Sequence, residues 1–229
     1  MSHQARPDAT AACTIGHQAL RRRANDALTS SPVTLCNMPD TRPVFYFDLG
    51  SPYSYLAAER VNSVLPEVPV WQPVLLGAIF QARGYGSWSQ TDEREAGMAE
   101  VERRAREYGL PEIRWPDPWP GNMLAAMRAA AFAQTTGRTV AFALAAFRQA
   151  FAGGRDLSDV DNVLLAAAAC ELHPRAVLTG IEMKSVKDKL REATDQAIAR
   201  GVTGVPSIAV ADQVFWGDDS LEEAAEAIR

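Results

Sequence analysis

The chain has 229 residues, 47% of them hydrophobic and 22% charged, and its 23 Lys and Arg against 28 Asp and Glu give a formal net charge of −5. That mix belongs to a soluble globular protein, and a compact chain of this length hides about 70% of its extended-chain surface, so no metal or disulfide is needed to hold it together. The one basic cluster, Arg21 to Arg23, is too small for a nucleic-acid footprint, and the longest apolar run, Val163 to Cys170, is far short of a membrane span.

Residues 1–42 are polar, follow no sustained period and lack the apolar core of a signal peptide, so a disordered N-terminal extension and a cytoplasmic location are expected. An ordered pattern starts only at Val44, which makes Met38 the expected natural start. Val44 to Phe47 is a buried-strand run. The period then turns helical, with Ser51 as N-cap and Pro52 at the first helical position, as far as Leu65, where Pro66 stops it. Val68 to Val74 reads as the next strand, bounded by prolines that an interior ladder would not tolerate. From Gly77 to about Met183 the signal is overwhelmingly helical, with helices over 92–108, 122–136, 138–151 and 157–170. Another helix covers 186–200, two short strands over 204–210 and 213–216 turn at Ala211 and Asp212, and 218–229 closes the chain as a helix with acids at its start. The order β-α-β, helices, α-β-β-α predicts an α/β fold: a thioredoxin-like domain of residues 43–76 and 186–229, with an all-α domain inserted over 77–185.

The reactive side chains are few. Cys13, Cys36 and Cys170 form no C-x-x-C pair, and an odd count argues against a disulfide framework; Cys170, in an Ala-rich helix, is expected to be a small buried hydrophobe. The three histidines, His3, His17 and His173, are too scattered for a zinc site or a Ser-His-Asp site, so no metal is expected. Arg83 to Trp88 has two glycines but neither the third Gly of a dinucleotide fingerprint nor the Lys-Ser/Thr of a P-loop. Any chemistry must therefore borrow its reactive group.

Ser51 supports two readings. Serine is among the best N-caps and needs no catalytic explanation at a helix start. Yet Ser51-Pro-Tyr-Ser54 stands where a thioredoxin-like fold presents its cysteine pair, and there the helix end and a hydroxyl donor can stabilise a thiolate brought in by a cofactor, whose free pKa is about 8.5. Val205-Pro206 is either an edge-strand proline or a cis bond whose flanking N–H and C=O pair with an extended peptide ligand such as glutathione. Asp218 and Asp219 suit the dipole of a helix start and could also bind a ligand ammonium group.

Four segments in order, FYFDLGSPYSYLA at 45–57, PVLLGAIF at 73–80, GVTGVPS at 201–207 and FWGDD at 215–219, resemble the 2-hydroxychromene-2-carboxylate isomerase family, a relative of the kappa-class glutathione transferases. The resemblance covers residues 43–229. It implies a homodimer that holds glutathione, or another low-molecular-weight thiol, through Ser51, Val205, Pro206, Asp218 and Asp219, with Ser51 alone carrying a catalytic role. The implied reaction isomerises an unsaturated aromatic 2-oxo acid in aromatic-compound catabolism, by thiolate addition, bond rotation and thiolate expulsion. A kappa-like transferase or peroxidase and a non-catalytic thiol-binding module are the alternatives. Where the isomerases carry Gly-Asn, with the Asn on glutathione, this chain reads Gly84-Tyr85-Gly86-Ser87-Trp88. Tyr53, Tyr85, Trp88 and Asn122 are candidates for the substrate pocket. Trp115 and Trp119 either join that wall or simply pack, and Asn122 also suits a helix cap.

Overall fold

A computed structural model describes residues 42–229; the rest of the expected extension, Met38 included, lies outside the described residues. The sheet order is β2-β1-β3-β4, from strands β1 (Val44–Phe47), β2 (Val70–Pro73), β3 (Ser207–Val210) and β4 (Gln213–Trp216). β2 runs parallel to β1, and β3 and β4 are antiparallel to their neighbours. Pro73 therefore ends an edge strand, where its missing N–H leaves no gap in an interior ladder. The β3 ladder begins at Ser207 rather than at Gly204, because Pro206 has no N–H to donate and the Val205-Pro206 bond is cis. The two-residue turn at Ala211 and Asp212 puts Ala211 at φ 47°, in the left-handed region that tight hairpins use.

Helices α1 (Pro52–Val64), α2 (Leu76–Arg83), α3 (Arg94–Glu107), α4 (Leu124–Thr135), α5 (Thr139–Phe147), α6 (Val160–Ala169), α7 (Pro174–Glu182), α8 (Lys184–Ala199) and α9 (Leu221–Ala227) complete the described fold. The last turn of α5 continues as a π turn over Arg148–Ala152, and a short 3-10 turn, Asp218–Ser220, precedes α9 where one unbroken helix is predicted. Helix α7 has no separate prediction: His173, read as loop, caps it by accepting from the Arg175 N–H at 3.2 Å, and Pro174 fills its first position. The side-chain alternation of β1 divides the core. Phe45 and Phe47, with Trp71 and Ile208, face α1, α9 and the helices α3 to α7, whereas Tyr46 and Ala209 face Ile79 of α2 and Ala197 of α8. The β1–α1 turn is thus held on both sides, and it is the turn that carries Ser51.

Candidate active site

Ser51 caps α1 in extended conformation (φ −91°, ψ 117°), and its Oγ accepts from the Ser54 N–H at 3.2 Å. The same hydroxyl donates to the Val205 carbonyl at 3.4 Å, across 154 residues of sequence. Pro52 contributes no N–H, so the donors at this helix end are the hydroxyl and the amides that follow it. Beneath the turn, Asp48 accepts from the Gly50 N–H at 2.8 Å and the Leu76 N–H at 2.9 Å, which ties the β1–α1 turn to the start of α2. Burial pushes the Asp48 carboxyl above its ordinary range, against the pull of those two amides. A Cβ at Gly50 would lie 2.8 Å from Met123 Cγ, so a side chain there requires that methionine to shift.

A cavity of about 1280 Å³ opens over this turn. Its lining includes all the sequence-predicted positions: Ser51, Tyr53, Tyr85, Trp88, Asn122, Val205, Pro206, Asp218 and Asp219. They do not play equal parts. Asp218 is 1% exposed at its side chain and already paired, with Arg104 Nη1 at 2.9 Å and the Tyr108 hydroxyl donating at 3.0 Å. Burial raises its pKa while Arg104 opposes the shift, and burial together with Asp218 pushes the Tyr108 hydroxyl up to about 12. Asp219 is 60% exposed and touches Arg104 at 3.1 Å, so of the two acids it presents the free oxygen to a ligand. Tyr85 turns its hydroxyl onto the Thr203 carbonyl, so this loop, which lines the cavity, is tied to the segment that leads into Val205. Asn122 caps the chain entering α4, accepting from the Leu124 N–H at 3.1 Å.

The other end of the cavity is aromatic. Trp88 packs against Trp119 at 5.4 Å and edge-on to Tyr53 at 6.0 Å. Trp119 donates its indole N–H to the Gly50 carbonyl at 3.3 Å. Trp115 backs Trp119 at 4.6 Å without lining the cavity, so of the two readings left open for these tryptophans, packing holds for Trp115 and the wall for Trp119. Cys170 is buried just after the last residue of α6, its thiol donating to the Ala167 carbonyl at 3.2 Å, and is not among the residues that line the cavity.

Sequence reasoning missed Arg104 and Trp216. Arg104 follows Val101, which marks the buried face of α3, by three positions, so the helical period carried the signal, but the neighbouring Arg103 and Arg106 hid it. Trp216 is 59% exposed on the edge strand and lies against Gly204, where a Cβ would come within 2.6 Å of its indole nitrogen. Among the described residues no cluster of His, Cys, Asp and Glu could hold a metal, and no helix is long and apolar enough to cross a membrane.

Comparison with known proteins places this geometry. Residues 44–229 match the DSBA-like thioredoxin domain family. A 2-hydroxychromene-2-carboxylate isomerase of Sphingobium xenophagum is 30% identical over 187 residues, which cover 78% of this chain and 93% of the relative. A solved 2-hydroxychromene-2-carboxylate isomerase superposes with a TM-score of 0.74 at 21% identity, over 81% of this chain and 93% of the other. A probable DsbA oxidoreductase from Streptomyces coelicolor gives a TM-score of 0.61 at 21% identity, over 81% and 89% of the two chains. The chain belongs to the DSBA-like thioredoxin family and, within it, to the 2-hydroxychromene-2-carboxylate isomerase family.

Proposed function

We propose that the protein is a glutathione-dependent isomerase of 2-hydroxychromene-2-carboxylate or a similar unsaturated aromatic 2-oxo acid. The observation that carries this reading is the hydroxyl of Ser51, set at the N-terminus of α1 and 3.4 Å from the Val205 carbonyl, on the floor of a cavity with one polar and one aromatic end. The donor set suits a small peptide thiol. The Val205 N–H has no acceptor among the described residues and the Val205 carbonyl takes only a long bond from Ser51, so this backbone can pair with an extended peptide. Asp219, exposed beside Arg104, offers an oxygen to an ammonium group, while the guanidinium is already held by Glu100, Asp218 and Asp219. The volume exceeds the usual range of about 300 to 1,000 Å³ for a single-ligand site, which leaves room for an aromatic acid beside the thiol.

Bound glutathione supplies a sulfur nucleophile that adds reversibly to a conjugated carbon and leaves again, so that a double bond becomes rotatable and no net oxidation occurs. Ser51 donates a hydrogen bond to that sulfur and the end of α1 adds its partial positive charge, both favouring the ionised form. One pKa unit of such stabilisation is about 1.4 kcal/mol, within the reach of one charge-assisted hydrogen bond. Trp88 and Trp119 exclude water from the aromatic end and orient a planar acceptor. A cytoplasmic homodimer working in aromatic-compound catabolism belongs to the same reading.

The test is turnover of 2-hydroxychromene-2-carboxylate with and without glutathione, alongside calorimetric binding of glutathione. Ser51→Ala is expected to cut kcat by about tenfold to a hundredfold with glutathione binding reduced far less. Unchanged kcat in that variant removes Ser51 from the chemistry. A second reading, a non-catalytic thiol-binding module, draws on the loop at Gly84 to Trp88, where the family's Gly-Asn is not matched; conjugation of a chloro-aromatic electrophile without isomerisation would instead favour a kappa-like transferase. Tight glutathione binding without either turnover would favour a non-catalytic thiol-binding module.

A further inference from the structure

Gly97 is the fourth residue of α3, with its N–H bonded to the Glu93 carbonyl at 2.8 Å. Glycine is a poorer helix former than alanine, so its presence there calls for a packing reason. The reason is Trp88. A Cβ at position 97 would lie 2.3, 2.4 and 2.9 Å from Cε3, Cζ3 and Cδ2 of the indole, closer than any real contact. The six-membered ring of Trp88 therefore rests directly on the backbone of α3. One turn earlier, Arg94 donates to the Ser89 carbonyl at 3.1 Å and to the Trp119 carbonyl at 2.6 Å, with its guanidinium 5.1 Å over the Trp119 ring. The first turns of α3 thus hold both rings that wall the aromatic end of the cavity.

We propose that Gly97 is a specificity-determining residue: by letting Trp88 lie flat against α3 it opens the aromatic end of the cavity to a planar acceptor of bicyclic size, and any side chain at 97 closes it. An indole lifted off α3 moves toward the cavity it lines, narrowing the space it shares with Tyr53 and Trp119. This proposal rests on the isomerase reading for the class of acceptor. It does not depend on the thiol.

The experiment compares calorimetric binding of 2-naphthoate, an unreactive planar bicyclic carboxylate, with binding of glutathione. Gly97→Ala is expected to weaken 2-naphthoate at least about tenfold while glutathione changes less than about twofold. Adding Trp88→Leu in the same chain removes the colliding ring and is expected to restore most of the naphthoate affinity. Wild-type-like naphthoate binding by Gly97→Ala, equal loss of both ligands in a folded Gly97→Ala, or failure of wild type to bind naphthoate overturns the proposal. Should Gly97→Ala not fold, recovery of folding and of naphthoate binding in Gly97→Ala/Trp88→Leu supports it, and a folded double variant that does not bind overturns it. Wild type that binds naphthoate but not glutathione would overturn the thiol reading and leave the role of Gly97 supported.

Discussion

Ser54 carries a fully buried hydroxyl with no hydrogen-bond partner among the described residues, three residues after the cap whose oxygen its own amide bonds. A buried donor left unpaired costs about 1 to 3 kcal/mol, and alanine also suits a helix better than serine. Ser54→Ala is therefore expected to raise stability by about 1 kcal/mol, read as a shift in denaturant midpoint at constant slope; a loss instead would mean that the hydroxyl has a partner in solution. Asp218 makes the opposite bargain, paired but desolvated. Its carboxyl titrates higher in the folded chain than its ordinary value of 3.8, chiefly through burial, so the native state holds more protons than the unfolded one above that pH. The unfolding free energy then falls as pH rises from there. Asp218→Asn lacks this contribution while losing the Arg104 pair at every pH. The stability gap between wild type and Asp218→Asn should shrink as pH rises from about 3.5 to 7, and a gap that grows in favour of wild type would show that Arg104 and Tyr108 outweigh burial.

The loop after α2 works as an element rather than as separate side chains. Arg83 donates to the Ile198 and Val202 carbonyls at 3.0 and 3.1 Å, capping the end of α8, and Tyr85 bonds the Thr203 carbonyl. Together they strap this loop to the segment that delivers Val205 to Ser51. Tyr85→Phe keeps the ring tilted against Phe80 but releases the strap at one point. Hydrogen exchange is expected to quicken at residues 84–88 and 202–204 with the protection of α1 unchanged, at a cost of about 1 kcal/mol or less. Much of this level was legible in the sequence. Pro66, Gly109 and Gly201 stop α1, α3 and α8 near the expected places, because Pro and Gly act through local backbone geometry. The strap was not legible: Tyr85 reads as a pocket aromatic, and only the fold reveals that residue 203 lies under its hydroxyl. Arg104 and Gly97 were hidden for the same reason. Their partners, Asp218 and Trp88, are chosen by packing between elements and leave no local pattern.

At the scale of the whole molecule, this chain keeps the frame of a DSBA-like thioredoxin domain and carries Ser51 and Ser54 at the start of α1. The frame retains what a reactive thiol requires: a helix N-terminus behind the first position, a buried second position three residues on, and the Val205 backbone opposite. Two serines cannot cycle electrons as a cysteine pair does, so on the isomerase reading a bound thiol would act as a nucleophile without being drawn into a disulfide at these positions. Placing sulfur there should introduce the exchange. Ser51→Cys alone is expected to give a thiol that titrates well below the free-cysteine value of about 8.5, measured as the pH profile of its alkylation by iodoacetamide against free cysteine. Ser51→Cys with Ser54→Cys is expected to form an intramolecular disulfide and, with dithiothreitol as electron donor, to reduce insulin, which wild type leaves untouched. An alkylation midpoint at or above 8.5 would mean that the end of α1 does not stabilise a thiolate. The electrostatic basis proposed for the isomerase would then fail with it, since a borrowed sulfur placed beside position 51 would meet the same field as one attached there.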